Sequence, residues 1–128
     1  MSFIGASERN AVALQVAETL DAYEAALDEW LIDPSDMHLF GKASAQIEAA
    51  RLMSSSALPS ATGALTALLL AHTDLICTVW KTHMAAVGQR RTHAQEQKLA
   101  RAIAHHRVTI SEMRLLCVRL STRGRDKT

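Results

Sequence analysis

The chain has 128 residues, a formal net charge of +1 and 48% hydrophobic residues, with only five glycines and two prolines. That length suits one domain with a single core, and the near-zero charge excludes a strong non-specific pull of the whole molecule on nucleic acid or membrane. Turn residues are few, Ala, Leu, Glu and Arg are plentiful, and apolar and polar residues seldom alternate, which excludes a sheet and predicts an all-α fold.

The opening MSFIGAS has no basic region and no long apolar run, so no secretory leader is expected. Ser7 can cap a first helix, with Phe3 and Ile4 packed just before it. Val12, Val16, Leu20, Tyr23, Leu27 and Trp30/Leu31 follow at four-and-three spacing and predict a helix over 7–32. At Asp33-Pro34 the proline disfavours helix on its N-terminal side and suits the first turn of the next, with Asp33 as cap.

A second, weaker helix is expected over 34–55, where Met37, Phe40, Ala43, Ile47 and Ala50 make a thin stripe. Gly41 sits inside it at a cost of about 1 kcal/mol relative to alanine and is a candidate break. The serines at 54–56, Leu58-Pro59-Ser60 and Gly63 read as a connection.

The third helix, 60–87, is the most apolar. Leu65, Leu68/Leu69, His72, Leu75/Ile76, Val79/Trp80, His83 and Val87 fall on one side, and Leu70, Cys77 and Met84 widen the stripe. His72 and Asp74 interrupt it. An Asp at mid-membrane costs roughly 3 kcal/mol, so the segment reads as a core helix of a cytoplasmic protein with no membrane partner. Gly88-Gln89-Arg90-Arg91 is a basic turn, and Thr92 with Gln95 forms a capping box that opens a fourth helix running to Ser121. Residues 1–122 are expected to form one domain, with a disordered basic tail over 123–128. The expected architecture is an antiparallel four-helix bundle, three helices long and one weak, in which helices 3 and 4 form the central hairpin and helix 1 packs across it.

Helix 4 carries two apolar seams. Leu99, Ile103, His106, Ile110, Met113, Cys117 and Leu120 form the first; Ala104, Val108, Ser111, Leu115 and Val118 form the second. One seam joins the helix to its own bundle. The other calls for a second partner, either another helix of the chain or a second copy of the protein. Val108, Leu115 and Val118 are the expected self-association contacts.

Charge is segregated. Residues 1–41 hold eight acids against one base, and residues 89–128 hold ten bases against three acids. An acidic helix lying beside a basic one, within or between chains, accounts for this, with Arg107, Arg114 and Arg119 as the pairing cations. The alternative is a nucleic-acid surface on helix 4. The near-zero total charge and the lack of aromatics among the basic residues weigh against it.

In a hairpin turning at 88–91, residue i of helix 3 lies level with 180 − i of helix 4. His72 then approaches His106, and the two imidazoles can meet in the core, where they could share a proton or bind a metal. The simpler expectation is that each bonds a backbone carbonyl or a hydroxyl such as that of Thr73, with no metal. The same register puts Cys77 roughly 20 Å from Cys117, too far for a disulfide. Both thiols are expected half-buried and reduced, with no zinc motif. Ala71-His72 resembles the start of the motif in histidine-phosphotransfer domains, over that dipeptide alone. Those domains then place a lysine and a small residue three and four positions on, where this chain has Leu75 and Ile76, which crowd a phosphate.

No phosphate loop, dinucleotide fingerprint or serine elbow is present, so no cofactor and no enzymatic activity is expected. The sequence fits a small cytosolic regulator or adaptor, of the anti-activator, chaperone or scaffold type, that binds another protein and itself as a homodimer.

Overall fold

A computed structural model of the chain describes residues 5–85 and 90–122. Four α-helices follow in order: α1 (Ala6–Ile32), α2 (Met37–Ala57), α3 (Thr62–Ala85) and α4 (His93–Thr122), with a single 3₁₀ turn, Pro59–Ala61, ahead of α3. Among the described residues there is no strand. Phe3, Ile4, Gly88, Gln89 and the tail over 123–128 lie outside the described residues.

Local chemistry sets the boundaries. Gly5, not Ser7, is the N-cap of α1, because the Glu8 carboxylate reaches back to accept the Gly5 N–H at 2.6 Å. An acid in the first turn also complements the helix dipole. Asp36, not Asp33, caps α2; its Oδ1 accepts the N–H groups of His38 (2.9 Å) and Leu39 (3.2 Å). Pro34 stays outside the helix because its carbonyl accepts the buried indole N–H of Trp30 at 3.1 Å. Gly41 does not break α2, which continues through the serines to Ala57. The expected connection therefore shrinks to Leu58 and the 3₁₀ turn. Thr92 and Gln95 form the expected reciprocal cap of α4, with N–H bonds of 2.8 and 3.1 Å.

The helices pack as an antiparallel bundle. α1 lies against α2 on one side and α4 on the other, and α4 lies in turn on α3. Asp21 pairs with Arg114 and Asp28 with Arg107, so residue i of α1 is level with 135 − i of α4. Helix 1 thus runs antiparallel along α4. His72 and His106 face each other with ring centroids 6.0 Å apart, which places the α3–α4 register within two residues of the expected one.

The core is built from Val16, Leu20, Leu27, Leu68, Leu75, Ile110 and Met113, all essentially inaccessible. The side of α2 that meets α1 is small, with Ala43, Ala50 and Ala57 buried, which lets the two helices approach closely and explains the thin stripe. Trp30, Phe40 and Trp80 close the end where α1, α2 and α3 meet, with ring centroids 5.6–6.3 Å apart, in the range of favourable aromatic pairs. By length and composition the stretch Pro59–Ala85 could cross a membrane; in the bundle it buries Leu65, Leu68, Leu75 and Val79.

Candidate functional site: a buried tyrosine–histidine junction and an open seam

Two features of α4 stand apart from ordinary core packing. The first is a polar junction inside the bundle. His72 from α3 and His106 from α4 do converge, but on a third group, Tyr23 of α1. The tyrosine oxygen lies 2.6 Å from His72 Nδ1 and 2.6 Å from His106 Nε2. The hydroxyl partner is thus Tyr23 rather than Thr73, whose Oγ1 donates to the Leu69 carbonyl. Tyr23 reads from sequence as one more apolar position of its stripe. The available signal was that a buried tyrosine needs a partner for its hydroxyl.

One proton on the tyrosine oxygen and two nitrogen neighbours fix the direction of the bonds. Thr109 Oγ1 donates to the His106 carbonyl at 2.7 Å. Its lone pairs then face His106 Nδ1 at 3.3 Å, so Nδ1 carries the hydrogen and Nε2 is the acceptor. Tyr23 donates to His106 Nε2, and its oxygen accepts the N–H of His72 Nδ1. The chain runs one way, from His72 through Tyr23 to His106. The outer nitrogen of His72, Nε2, has no hydrogen-bond partner among the described residues.

Burial favours the neutral form of every member. It raises the Tyr23 pKa and lowers that of His72. The pKa of His106 is pushed down to about 4, mainly by burial, with smaller contributions from His72, His105 and Arg107. His106 itself is 1% exposed. His106 therefore depends on Tyr23 and Thr109 for its bonds. Among the described residues no three His, Cys, Asp or Glu side chains converge as metal ligands. Cys77 and Cys117 are both free thiols. Neither is half-buried as expected: Cys77 is exposed, and Cys117 is fully buried, its pKa pushed up to about 11 by burial, which keeps that thiol protonated and unreactive.

The second feature is the outer face of α4. Its first seam turns inward, burying His106, Ile110, Met113 and Cys117. The second seam stays out of the core: Val108 is 52% exposed, Leu115 54% and Val118 37%, with Ala104 and Ser111 exposed between them. No described helix of the chain covers it. The three arginines divide. Arg107 donates to Asp28 at 3.0 Å and lies 3.9 Å from Glu24. Arg114 Nε lies 2.7 Å from Asp21. Arg119 meets no acid among the described residues. The acidic and basic helices therefore do lie side by side within one chain, and that contact uses two of the three cations.

These elements define a helical bundle with an uncovered apolar stripe on α4; Leu70 and Met84 of α3, expected to widen the covered stripe of that helix, are exposed as well, at 67% and 65%, with exposed Cys77 between them. No family model matches the chain, and no curated protein or solved structure matches it significantly.

Proposed function

We propose that the protein is a non-enzymatic cytosolic interaction module, a small regulator or adaptor, that self-associates through the outer face of α4. The supporting observation is the second seam: three large apolar side chains at heptad spacing on a helix whose inner seam is already used. A lone exposed leucine is ordinary on a protein surface; a five-position stripe with alternating four-and-three steps is the pattern by which helices recognise helices.

The nucleic-acid reading is weaker. Two of the three arginines beside the seam, Arg107 and Arg114, are already neutralised by acids of α1. Tyr23 and Trp30 are fully buried, so neither can stack on a base.

Leu115→Arg tests the proposal. It places a charge in the seam without touching the core. The variant is expected to be monomeric by light scattering while keeping its helicity by circular dichroism. A variant that still dimerises would place the interface elsewhere.

A further inference from the structure

The seam alone is too small to hold a dimer. Burying three half-exposed Val and Leu side chains on each of two copies contributes about 1 kcal/mol apiece. Roughly 6 kcal/mol in total falls short of the ~8 kcal/mol of a micromolar complex, before the cost of association. More surface must take part; α4 borders both α1 and α3, and Arg107 and Arg114, next in sequence to Val108 and Leu115 of the seam, reach α1.

The outer face of α1 has its own heptad-spaced row: Leu14, Glu18, Asp21, Ala25, Asp28 and Ile32. Leu14 is 49% exposed and Ile32 86%. By the register of α1 on α4, the middle of this row falls level with the middle of the α4 seam. The α1–α4 face thus carries two side-by-side stripes: that of α1 holds Glu18, Asp21 and Asp28 between its apolar ends, and that of α4 is uncharged and flanked by Arg107, Arg114 and Arg119, of which the first two already pair with Asp28 and Asp21.

Resting on the self-association reading, we infer that the second copy packs on this face about a two-fold axis parallel to the helices, with α1 of each copy lying on α4 of the other. For two copies of one face in contact, the axis lies in the plane of contact. An axis across the helices would set α1 on α1 and leave Glu18 and Arg119 with no opposite charge across the contact. An axis along the helices sets α1 on α4, acid on base. That rotation leaves every residue at its own level, so residue i of α1 meets the other copy's α4 near 135 − i.

Specific contacts follow. Glu18 falls level with position 117, within two residues, or about 3 Å along the axis, of Arg119 in the second copy. Glu18 and Arg119 are both exposed, and neither has a charged partner among the described residues. Ile32 falls beside Ala104 of the second copy, and Leu14 within a turn of Val118. The small Ala25 leaves room for the larger residues of the opposing seam.

A charge-swap series tests this, with dimer dissociation read by sedimentation equilibrium. Glu18→Arg and Arg119→Glu are each expected to weaken the dimer about tenfold or more, and the double variant E18R/R119E to restore it to within a few-fold of wild type. If the wild type dimerises and Leu115→Arg breaks the dimer, but the single swaps do nothing or the double variant fails to restore it, this packing is wrong while the self-association reading stands. A monomeric wild type removes both.

Discussion

The hydroxyl of Tyr23 lies 2.6 Å from Nε2 of His106, and with Thr109 donating to the His106 carbonyl and facing Nδ1 this contact assigns the tautomers of two histidines on different helices. His106 must carry its proton on Nδ1 to leave Nε2 free to accept. His72 must do the same in order to donate to the tyrosine oxygen. Nitrogen chemical shifts of the imidazoles are expected to show both rings as neutral Nδ1–H tautomers at pH 7. A His106 ring protonated at Nε2 would contradict the assigned direction.

Replacing Tyr23 with phenylalanine strands two nitrogen sites at once, the buried acceptor of His106 and the half-buried donor of His72. Each buried polar group left unpaired costs about 1–3 kcal/mol, so Tyr23→Phe is expected to lower unfolding stability by about 3 kcal/mol in a denaturant titration. A loss below ~0.5 kcal/mol would mean the junction adds little to the fold.

Acid acts on the same junction. The folded pKa of His106 is held at about 4, below the ordinary histidine value of 6.5, chiefly by burial. The depressed value means that the unfolded chain binds the proton more readily. Stability contributed by His106 is complete above pH 6.5 and is lost as the pH falls from there through about 4. His72, also lowered by burial, changes stability with the same sign. The His106 contribution is at most on the order of 3 kcal/mol. Chemical denaturation at pH 7 and pH 4.5 should show the loss, and NMR titration should place the His106 midpoint well below the ordinary histidine value. A midpoint near 6.5 would sink the burial argument.

Two substitutions in α2 are expected to stabilise the protein. Gly41 occupies an exposed helical position where an added Cβ meets nothing within 4 Å, so Gly41→Ala should add 0.5–1 kcal/mol by propensity alone. Ser54 is 1% exposed, and its Oγ has no hydrogen-bond partner. Ser54→Ala removes that unsatisfied oxygen and should add about 1 kcal/mol. Thermal melts of both variants check this, and a lowered Tm for S54A would reveal a partner for the hydroxyl.

Helical periodicity carried most of the fold, because heptad-like stripes in α1, α3 and α4 are long enough to be unambiguous. The hairpin register followed from one turn and a rise of 1.5 Å per residue, which brought His72 to His106. Helix ends were less legible: whether Gly5 or Ser7 caps α1, and Asp33 or Asp36 caps α2, depends on which side chain reaches back and on the Trp30 indole claiming the Pro34 carbonyl. Tyr23 was hidden for a different reason. Its contacts lie 49 and 83 residues away in sequence, and only the α1–α4 register brings them together. The Asp21–Arg114 and Asp28–Arg107 pairs were legible as a charge asymmetry and not as contacts, since asymmetry does not distinguish pairing within a chain from pairing between chains.

The central claim is that the open seam of α4 is an interface between copies. The most direct test is the solution mass of the full chain, measured by light scattering after size exclusion at low and at high salt. A dimer at both salts, weaker at high salt where the exposed Glu18 and Arg119 are screened, is the expected result, since the apolar contacts of the α4 seam, Leu14 and Ile32 persist. A monomer at both salts would contradict the account, leaving the seam to a different protein and returning the basic helix to consideration as a nucleic-acid surface.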